Sequence, residues 1–154
     1  MSKNRIRARP RSLFIIILLL LIAVAGAAHA QGGVSVWLGA GNLGDESHEA
    51  YGAAQLDAPL IPVAPRAELL WVSPFGGDQS AAAILSGVYE LGLPGISPYL
   101  IAGWGWYGLG EVDTDQGVSV GAGIRLGPPN LGVFGQIRRH QSLDETALSV
   151  GVTF

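Results

Sequence analysis

A histidine and a serine stand two residues apart near the end of the chain, with acidic residues close behind. His140 and Ser142 would share one face of a β-strand, and Asp144 and Glu145 follow them. A histidine beside a serine can activate the hydroxyl oxygen as a nucleophile when an acid orients the imidazole. Such a triad is defined by geometry, which this spacing does not supply, so we predict that His140 is a hydrogen-bonding residue at the rim or in the interior of the fold.

Three carboxylates alternate in a turn-like segment further upstream. Glu111, Asp113 and Asp115 have the spacing of the first ligands of a calcium loop. The expected glycine comes one position late, at Gly117, and Ala122 stands where the final acid is needed. We therefore predict a solvated acidic loop and neither a metal centre nor a cofactor, with these three residues as the candidates for bridging Mg²⁺ or Ca²⁺ to anionic lipopolysaccharide.

A larger set of polar residues falls at alternate positions of segments that are otherwise apolar, which would turn them all toward one side. The set is Arg66, Glu68, Glu90, Arg125, Gln136, Arg138 and His140. Buried charges must be paired and hydrogen-bonded, or each costs several kcal/mol. We expect an ion network that fills the inside of a small barrel. The alternative is a narrow gated pore in which opening exchanges ion-pair partners.

The elements that position these residues are short strands. The chain has 23 glycines and nine prolines, mostly between short runs rich in aliphatic and aromatic residues. Eight segments suit strands of the ~9–11 residues that cross a bilayer at a tilt; they are 33–41, 48–57, 65–73, 80–91, 97–108, 116–127, 131–141 and 146–154. We predict an all-β fold, an eight-stranded antiparallel up-and-down transmembrane β-barrel over residues 31–154, with the register of the second and fourth strands undefined.

The alternation is clearest in the last three segments. Val118, Val120 and Ile124 lie opposite Ser119 and Arg125. We assign the apolar side to lipid, because the charges are too few to solvate a whole outer surface. A soluble lipocalin-like carrier would show the same period with the apolar side turned inward.

The first thirty residues have the organisation of a secretion signal. A basic start precedes an apolar run from Leu13, and Ala28-His29-Ala30 suits signal peptidase, so we predict a cleaved signal peptide over residues 1–30. The alternative, an uncleaved helical anchor, would be shorter than the roughly 20 residues of a bilayer span. Five of the nine Lys and Arg residues lie in this segment, which leaves four against twelve acidic residues, a net charge of −8. That charge disfavours binding to nucleic acid.

Loop composition and aromatic residues indicate an orientation. Acidic residues concentrate in alternate loops, at Asp45, Glu46, Glu49, Asp78, Glu111, Asp113, Asp115, Asp144 and Glu145. With an even number of strands both mature termini lie at one end, which we predict to be periplasmic, so that the acidic loops face outward. We predict an interfacial aromatic girdle of Trp37, Trp71, Trp104, Trp106 and Tyr107.

The run ILSGVYELGLPGISPYLIAGWGWYGL over residues 84–109 resembles the outer-membrane β-barrel domain of opacity-like and other small eight-stranded surface proteins. Pro98-Tyr99, Gly103 and Gly105 are the matching positions. The final Phe154 is similar to the assembly signal of that class, which implies contact with the barrel-assembly machinery. The loops are shorter than in that family. The His140-x-Ser142 pair resembles the strand motif of outer-membrane lipid A deacylases, whose acid would come about a dozen residues later, beyond Phe154.

These features together predict a non-enzymatic protein of the bacterial outer membrane with a structural or envelope-interaction role, surrounded by lipid and lipopolysaccharide. The alternatives are a narrow porin-like channel for small solutes, a lipid A-modifying hydrolase, and a soluble carrier.

Overall fold

The computed structural model describes residues 33–44, 47–57, 62–74, 80–93, 95–109, 113–128 and 131–154. These residues form eight strands: β1 (Val34–Leu43), β2 (Ser47–Leu56), β3 (Ala64–Pro74), β4 (Ser80–Glu90), β5 (Ile96–Tyr107), β6 (Asp115–Leu126), β7 (Gly132–His140) and β8 (Glu145–Thr153). The predicted signal peptide over residues 1–30 lies outside the described residues.

Each strand pairs antiparallel with the next, and β8 pairs with β1, so the sheet closes into a barrel. The predicted eight-stranded antiparallel barrel is therefore confirmed, and each strand begins and ends within two residues of its predicted bounds. The strands are bounded correctly because glycine- and proline-rich turns separate runs with an unambiguous period of two. The described residues include no helix that is long and apolar enough to cross a membrane.

The two faces of the sheet differ in chemistry. Leucine and valine side chains cover the outside, including Leu100 (59% exposed), Leu148 (63%) and Val150 (66%). The stripe of Val118, Val120 and Ile124 also points outward. Polar, charged and aromatic residues fill the inside instead, an arrangement that suits hydrocarbon as the surrounding solvent.

Strands β2 and β4, whose register the sequence left undefined, follow the same rule. Glu49 and Gln55 of β2 and Ser86 of β4 are buried inside the barrel. The predicted placement of Glu49 in an acidic loop is wrong, because the β1–β2 turn is short and β2 already begins at Ser47. Gly44, with φ of +60°, provides the left-handed backbone of that turn.

The barrel has two ends, which we name by the chain. The terminal end is where β1 begins and β8 ends, and the distal end carries the β1–β2, β3–β4, β5–β6 and β7–β8 connections. Trp37 of β1 pairs with Thr153 of β8 near the terminal end, and Leu43 pairs with Ala147 near the distal end.

Candidate functional site

An ion pair with two serine hydroxyls crosses the middle of the interior. The Arg138 guanidinium donates to the Glu68 carboxylate, to Ser119 Oγ and, at 2.8 Å, to Ser86 Oγ. Ser86 in turn donates to Glu68 Oε1 at 2.9 Å. We call these four residues the central plug. Both charged side chains are almost fully buried, at 2% exposure for Arg138 and 0% for Glu68. Members from β3, β4, β6 and β7 thus link strands on both sides of the cylinder.

An aromatic layer lies beside the central plug. The rings of Trp37 and Phe134 are 4.9 Å apart, and those of Tyr51 and Phe134 are 5.9 Å apart. The Arg66 guanidinium stacks 3.9 Å above the Trp37 ring and donates to Gln55 Oε1, at 3.0 Å from Nε and 2.6 Å from Nη2. A buried cation on an indole face gains from the ring quadrupole as well as from its hydrogen bonds. Arg66 is therefore held without a carboxylate partner among the described residues.

Inward glycines make the room that these rings need. A Cβ atom on Gly39 would lie 2.7 Å from Tyr51 Cε1, and one on Gly123 would lie 2.4 Å from the Tyr99 ring. Tyr99 also donates its hydroxyl to Gln136 Oε1 at 3.1 Å. Large aromatic rings thus occupy the space that the glycines leave free, as the narrow interior of a small barrel requires.

The terminal end of the interior is open and charged. Arg125 Nη2 donates to Glu90 Oε2 at 3.0 Å, and Gln55 Nε2 donates to Glu90 Oε1 at 3.0 Å and to Asp57 Oδ1 at 2.6 Å. A cavity of about 220 Å³, which we call the vestibule, lies here; its lining is Ser35, Trp37, Asp57, Glu90, Arg125 and Thr153.

The distal end of the interior holds the histidine that the sequence singled out. His140 Nδ1 and the Tyr107 hydroxyl are 2.8 Å apart, and His140 Nε2 is 4.0 Å from Glu49 Oε2. Neither ring nitrogen is hydrogen-bonded to Ser142. Asp144, the acid expected behind the pair, instead contacts Arg139 on the outer surface. His140 and Ser142 are therefore neighbours in the sequence, but the described residues do not place a nucleophile, a base and an orienting acid in contact.

The seven residues of the predicted lumenal network all turn inward. Arg66, Glu68, Gln136, Arg138 and His140 are buried, and Glu90 and Arg125 are partly buried at the vestibule. They do not form one network: Arg138 pairs with Glu68, whereas Arg66 is linked through Gln55 to Glu90 and Arg125. Gln136 and His140 contact Tyr99 and Tyr107 instead.

The predicted aromatic girdle needs a correction. Trp37 is 1% exposed and Tyr107 is 3% exposed, and both lie inside the barrel rather than at the membrane surface. Each shares its face of the strand with glycines, Gly39 for Trp37 and Gly105 for Tyr107, which leave space for a ring within the cylinder. Trp71, Trp104 and Trp106 occupy outward positions, with Trp104 45% exposed.

Two of the three candidate metal ligands lie apart from this interior. Asp113 and Asp115 are exposed at the distal end, and Glu111 lies outside the described residues. Across the described part of the chain, no three His, Cys, Asp or Glu side chains group as metal ligands would.

Sequence reasoning missed several partners of these groups, namely Glu49, Gln55, Ser86 and Tyr99. A signal was present, because Glu49 and Gln55 share one face of β2, and Ser86 shares one face of β4 with Glu90. Because alternate residues of a strand point to the same side, Glu49, Gln55 and Ser86 can be placed inside as soon as one residue on the same face of their strand is known to be buried.

Comparison with known proteins shows the fold alone. The chain is similar to the N-terminal β-barrel domain of Pseudomonas aeruginosa OprF, with a TM-score of 0.62 and 16% identity over 79% of this chain and 96% of that one. It is also similar to a de novo designed transmembrane β-barrel, with a TM-score of 0.57 and 18% identity over 80% and 94% of the two chains. No protein-family model and no curated protein matches the sequence.

Proposed function

We propose that the protein is a non-enzymatic outer-membrane β-barrel with a structural or envelope-interaction role, closed to solutes by its own interior. The observation that carries the proposal is the central plug. Arg138, Glu68, Ser86 and Ser119 satisfy one another across the cylinder, with the charged pair nearly inaccessible to solvent. A pore would need water where these side chains stand.

The outer surface supports the membrane location. Exposed leucines and valines lie where a soluble protein would need polar groups, and the Val118, Val120 and Ile124 stripe faces out. A lipocalin-like carrier requires this stripe to line an internal cavity, so the arrangement disfavours the carrier alternative. We propose that the terminal end faces the periplasm and that the acidic distal end faces the outside.

Two alternatives receive less support from the interior. A lipid A-modifying hydrolase would need His140 and Ser142 hydrogen-bonded to each other and open to lipid, whereas His140 is 1% exposed and contacts Tyr107. A narrow channel would need the Arg138–Glu68 pair to separate. Separation of a buried pair costs several kcal/mol unless each charge finds a new partner.

The proposed partners are those of the membrane itself. Lipid and lipopolysaccharide would contact the aliphatic surface, and Phe154 would be recognised by the barrel-assembly machinery. The backbone of Phe154 forms two hydrogen bonds with the backbone of Val36, at 3.0 and 2.6 Å. Phe154 itself remains 40% exposed. We expect Phe154→Ala to lower the amount of assembled barrel in cells, and Val152→Ala, an outward position near the end of β8, to leave it unchanged as the matched control.

The test combines location with conductance. We expect the full chain expressed in a Gram-negative bacterium to fractionate with the outer membrane and to migrate differently in gels before and after boiling. In planar bilayers the purified protein should give no steady conductance. A soluble periplasmic monomer would refute the membrane location, and steady ion-selective openings would refute the closed interior. Unchanged lipid A mass in cells that express the protein is expected, and new deacylated species would refute the non-enzymatic assignment.

A further inference from the structure

The terminal end of the barrel has an apolar rim. Large exposed apolar side chains lie at the ends of the strands and in the turns between them; they include Leu56, Leu91, Leu93, Ile96, Leu126 and Leu131. Asp57 is the one exposed charged residue that the structure describes at this end, and it turns toward the vestibule, where Gln55 Nε2 donates to it at 2.6 Å. The other exposed charges in the described ranges lie at the distal end. A group of exposed apolar side chains indicates a contact with lipid or with protein.

The β4–β5 turn, residues 91–95, forms a large part of this rim. Leu91 and Leu93 are 50% and 59% exposed. Glu90, the residue before the turn, points into the barrel and pairs with Arg125 at 3.0 Å, so the turn itself carries no charge. Ile96 begins β5 on the outward face and is 46% exposed. The turn thus continues the apolar outer wall past the end of the strands.

The backbone of this turn is hydrogen-bonded within the protein. Ile96 N donates to the Leu93 carbonyl oxygen at 3.2 Å, and Leu91 N donates to the Pro98 carbonyl oxygen at 2.8 Å. Gly95, with φ of +76°, provides the left-handed backbone that the third position of a tight turn requires. Backbone groups can leave water only when they are paired, because an unpaired group in an apolar environment costs several kcal/mol. This turn therefore suits a position with little water.

The length of β5 decides where the turn lies in a bilayer. Trp104 and Trp106 occupy outward positions near the distal end, and tryptophan side chains favour the level of the lipid headgroups. From Trp106 to Ile96, the ten residue steps of β5 span about 25 Å along the barrel axis, at about 3.3 Å per residue and a tilt of about 40°. The apolar band of an outer-membrane barrel is also about 25 Å tall. With the tryptophans at one edge of that band, the other edge falls at Ile96, next to the turn.

We propose that the β4–β5 turn lies within the bilayer and contacts phospholipid, with Leu91 and Leu93 at the level where headgroups meet acyl chains. The occupant follows from continuity, because the outward positions of β5 from Ile96 to Trp104 are all apolar and join the turn directly to the lipid-facing wall. The inference rests on the proposed membrane location and deepens it by identifying the partner of the terminal end. A second copy of the chain and a periplasmic protein are the other occupants that the test must distinguish.

The experiment measures the depth of the turn with a fluorescent label. The chain contains no cysteine, so Leu93→Cys provides a single site for a nitrobenzoxadiazole label. Asp113→Cys, in the exposed loop at the distal end, is the matched control, and Leu148→Cys is the reference for the lipid-facing wall. Each labelled full chain is folded into dimyristoylphosphatidylcholine nanodiscs at one barrel per disc, where both faces of the bilayer meet water. Folding is checked by heat-dependent gel migration, and Ile96→Cys replaces Leu93→Cys if that variant does not fold.

The expected result differs between the three positions. The label at Leu93 should emit at shorter wavelength than the label at Asp113, because its surroundings are less polar. A nitroxide lipid labelled near the headgroup should quench it more strongly than one labelled near the chain end, and aqueous iodide should quench it less than the label at Asp113. The label at Leu148 should be quenched by nitroxide lipids and protected from iodide.

The outcomes separate this inference from the proposed function. If nitroxide lipids do not quench the label at Leu148, the wall is not in lipid and the membrane location itself is wrong. If Leu148 is quenched but the label at Leu93 behaves like the one at Asp113, the turn lies in water and the inference is refuted. A shift at Leu93 that appears only in discs with more than one barrel would assign this surface to a second copy and would also refute it.

Discussion

The central plug makes a quantitative prediction about stability. Glu68→Leu removes the one carboxylate among the described residues that contacts Arg138 and leaves a guanidinium that is 2% exposed without a counter-charge. Breaking a buried pair from one side costs about 3–5 kcal/mol in the free energy of unfolding. Arg138→Met should cost a similar amount, because it leaves the Glu68 carboxylate bonded to Ser86 alone.

The double variant Glu68→Leu/Arg138→Met should behave differently from the sum of its parts. It removes both charges from the interior, and apolar replacement of a buried pair is often neutral or stabilising. The hydroxyls of Ser86 and Ser119 lose their charged partners, so we expect a net cost of about 2 kcal/mol or less. The sum of the losses in the free energy of unfolding of the two single variants should therefore far exceed the loss in the double variant.

The assay is equilibrium unfolding in urea of protein folded into lipid vesicles, followed by tryptophan emission and by heat-dependent gel migration. The matched control is the pair Glu90→Leu and Arg125→Met, whose side chains are 20% and 15% exposed at the vestibule. Their coupling should be about 1 kcal/mol, nearer the value of a solvated pair. Single costs below about 1 kcal/mol at Glu68 and Arg138, or additive costs in the double variant, would refute the view that the two charges depend on each other.

Three further predictions address the outer surface, the packing of the sheet and the aromatic layer. Val150→Arg places a charge on the lipid side and should cost about 2–4 kcal/mol in vesicles, whereas Gln116→Arg, at an exposed outward position near the distal end of β6, should cost about 0–1 kcal/mol. Equal costs would contradict a lipid-facing β8. Gly151→Ala should cost about 3 kcal/mol or more, because the added Cβ atom would lie 2.0 Å from the Leu38 carbonyl oxygen. A Cβ atom on Gly135 would have no atom within 4 Å, so Gly135→Ala should be neutral in the same unfolding assay. Trp37→Ala should cost about 3–5 kcal/mol, since it also removes the surface on which Arg66 stacks, and a cost below 1 kcal/mol would contradict an interior position for this ring.

The strand bounds and the facing of most side chains could be read from the sequence. Alternation along β6 to β8 is strict, and one buried residue fixes the facing of every other residue in its strand. The same rule would have placed Trp37 correctly, because it shares a face with Ser35 and Gly39. The girdle prediction was wrong for Trp37 because it relied on the residue type and ignored which face of the strand this position occupies.

The pairing of the charges could not be read in the same way. Glu68 and Glu90 both face the interior, and either carboxylate could have paired with Arg138 or Arg125. The choice depends on the stagger between strands, which sets the height of each residue along the barrel axis. Arg138 meets Glu68 across the interior although the two residues are far apart in sequence.

The joining of β8 to β1 has a consequence for biogenesis. Until Thr153 reaches Trp37, the nascent polypeptide presents two unsatisfied sheet margins, each a template for pairing with another molecule. Ring completion brings together residues from opposite extremes of the described sequence, the slowest kind of contact to establish. Closure therefore cannot precede the synthesis of β8, and both margins stay open to pairing with other molecules until β8 has paired with β1.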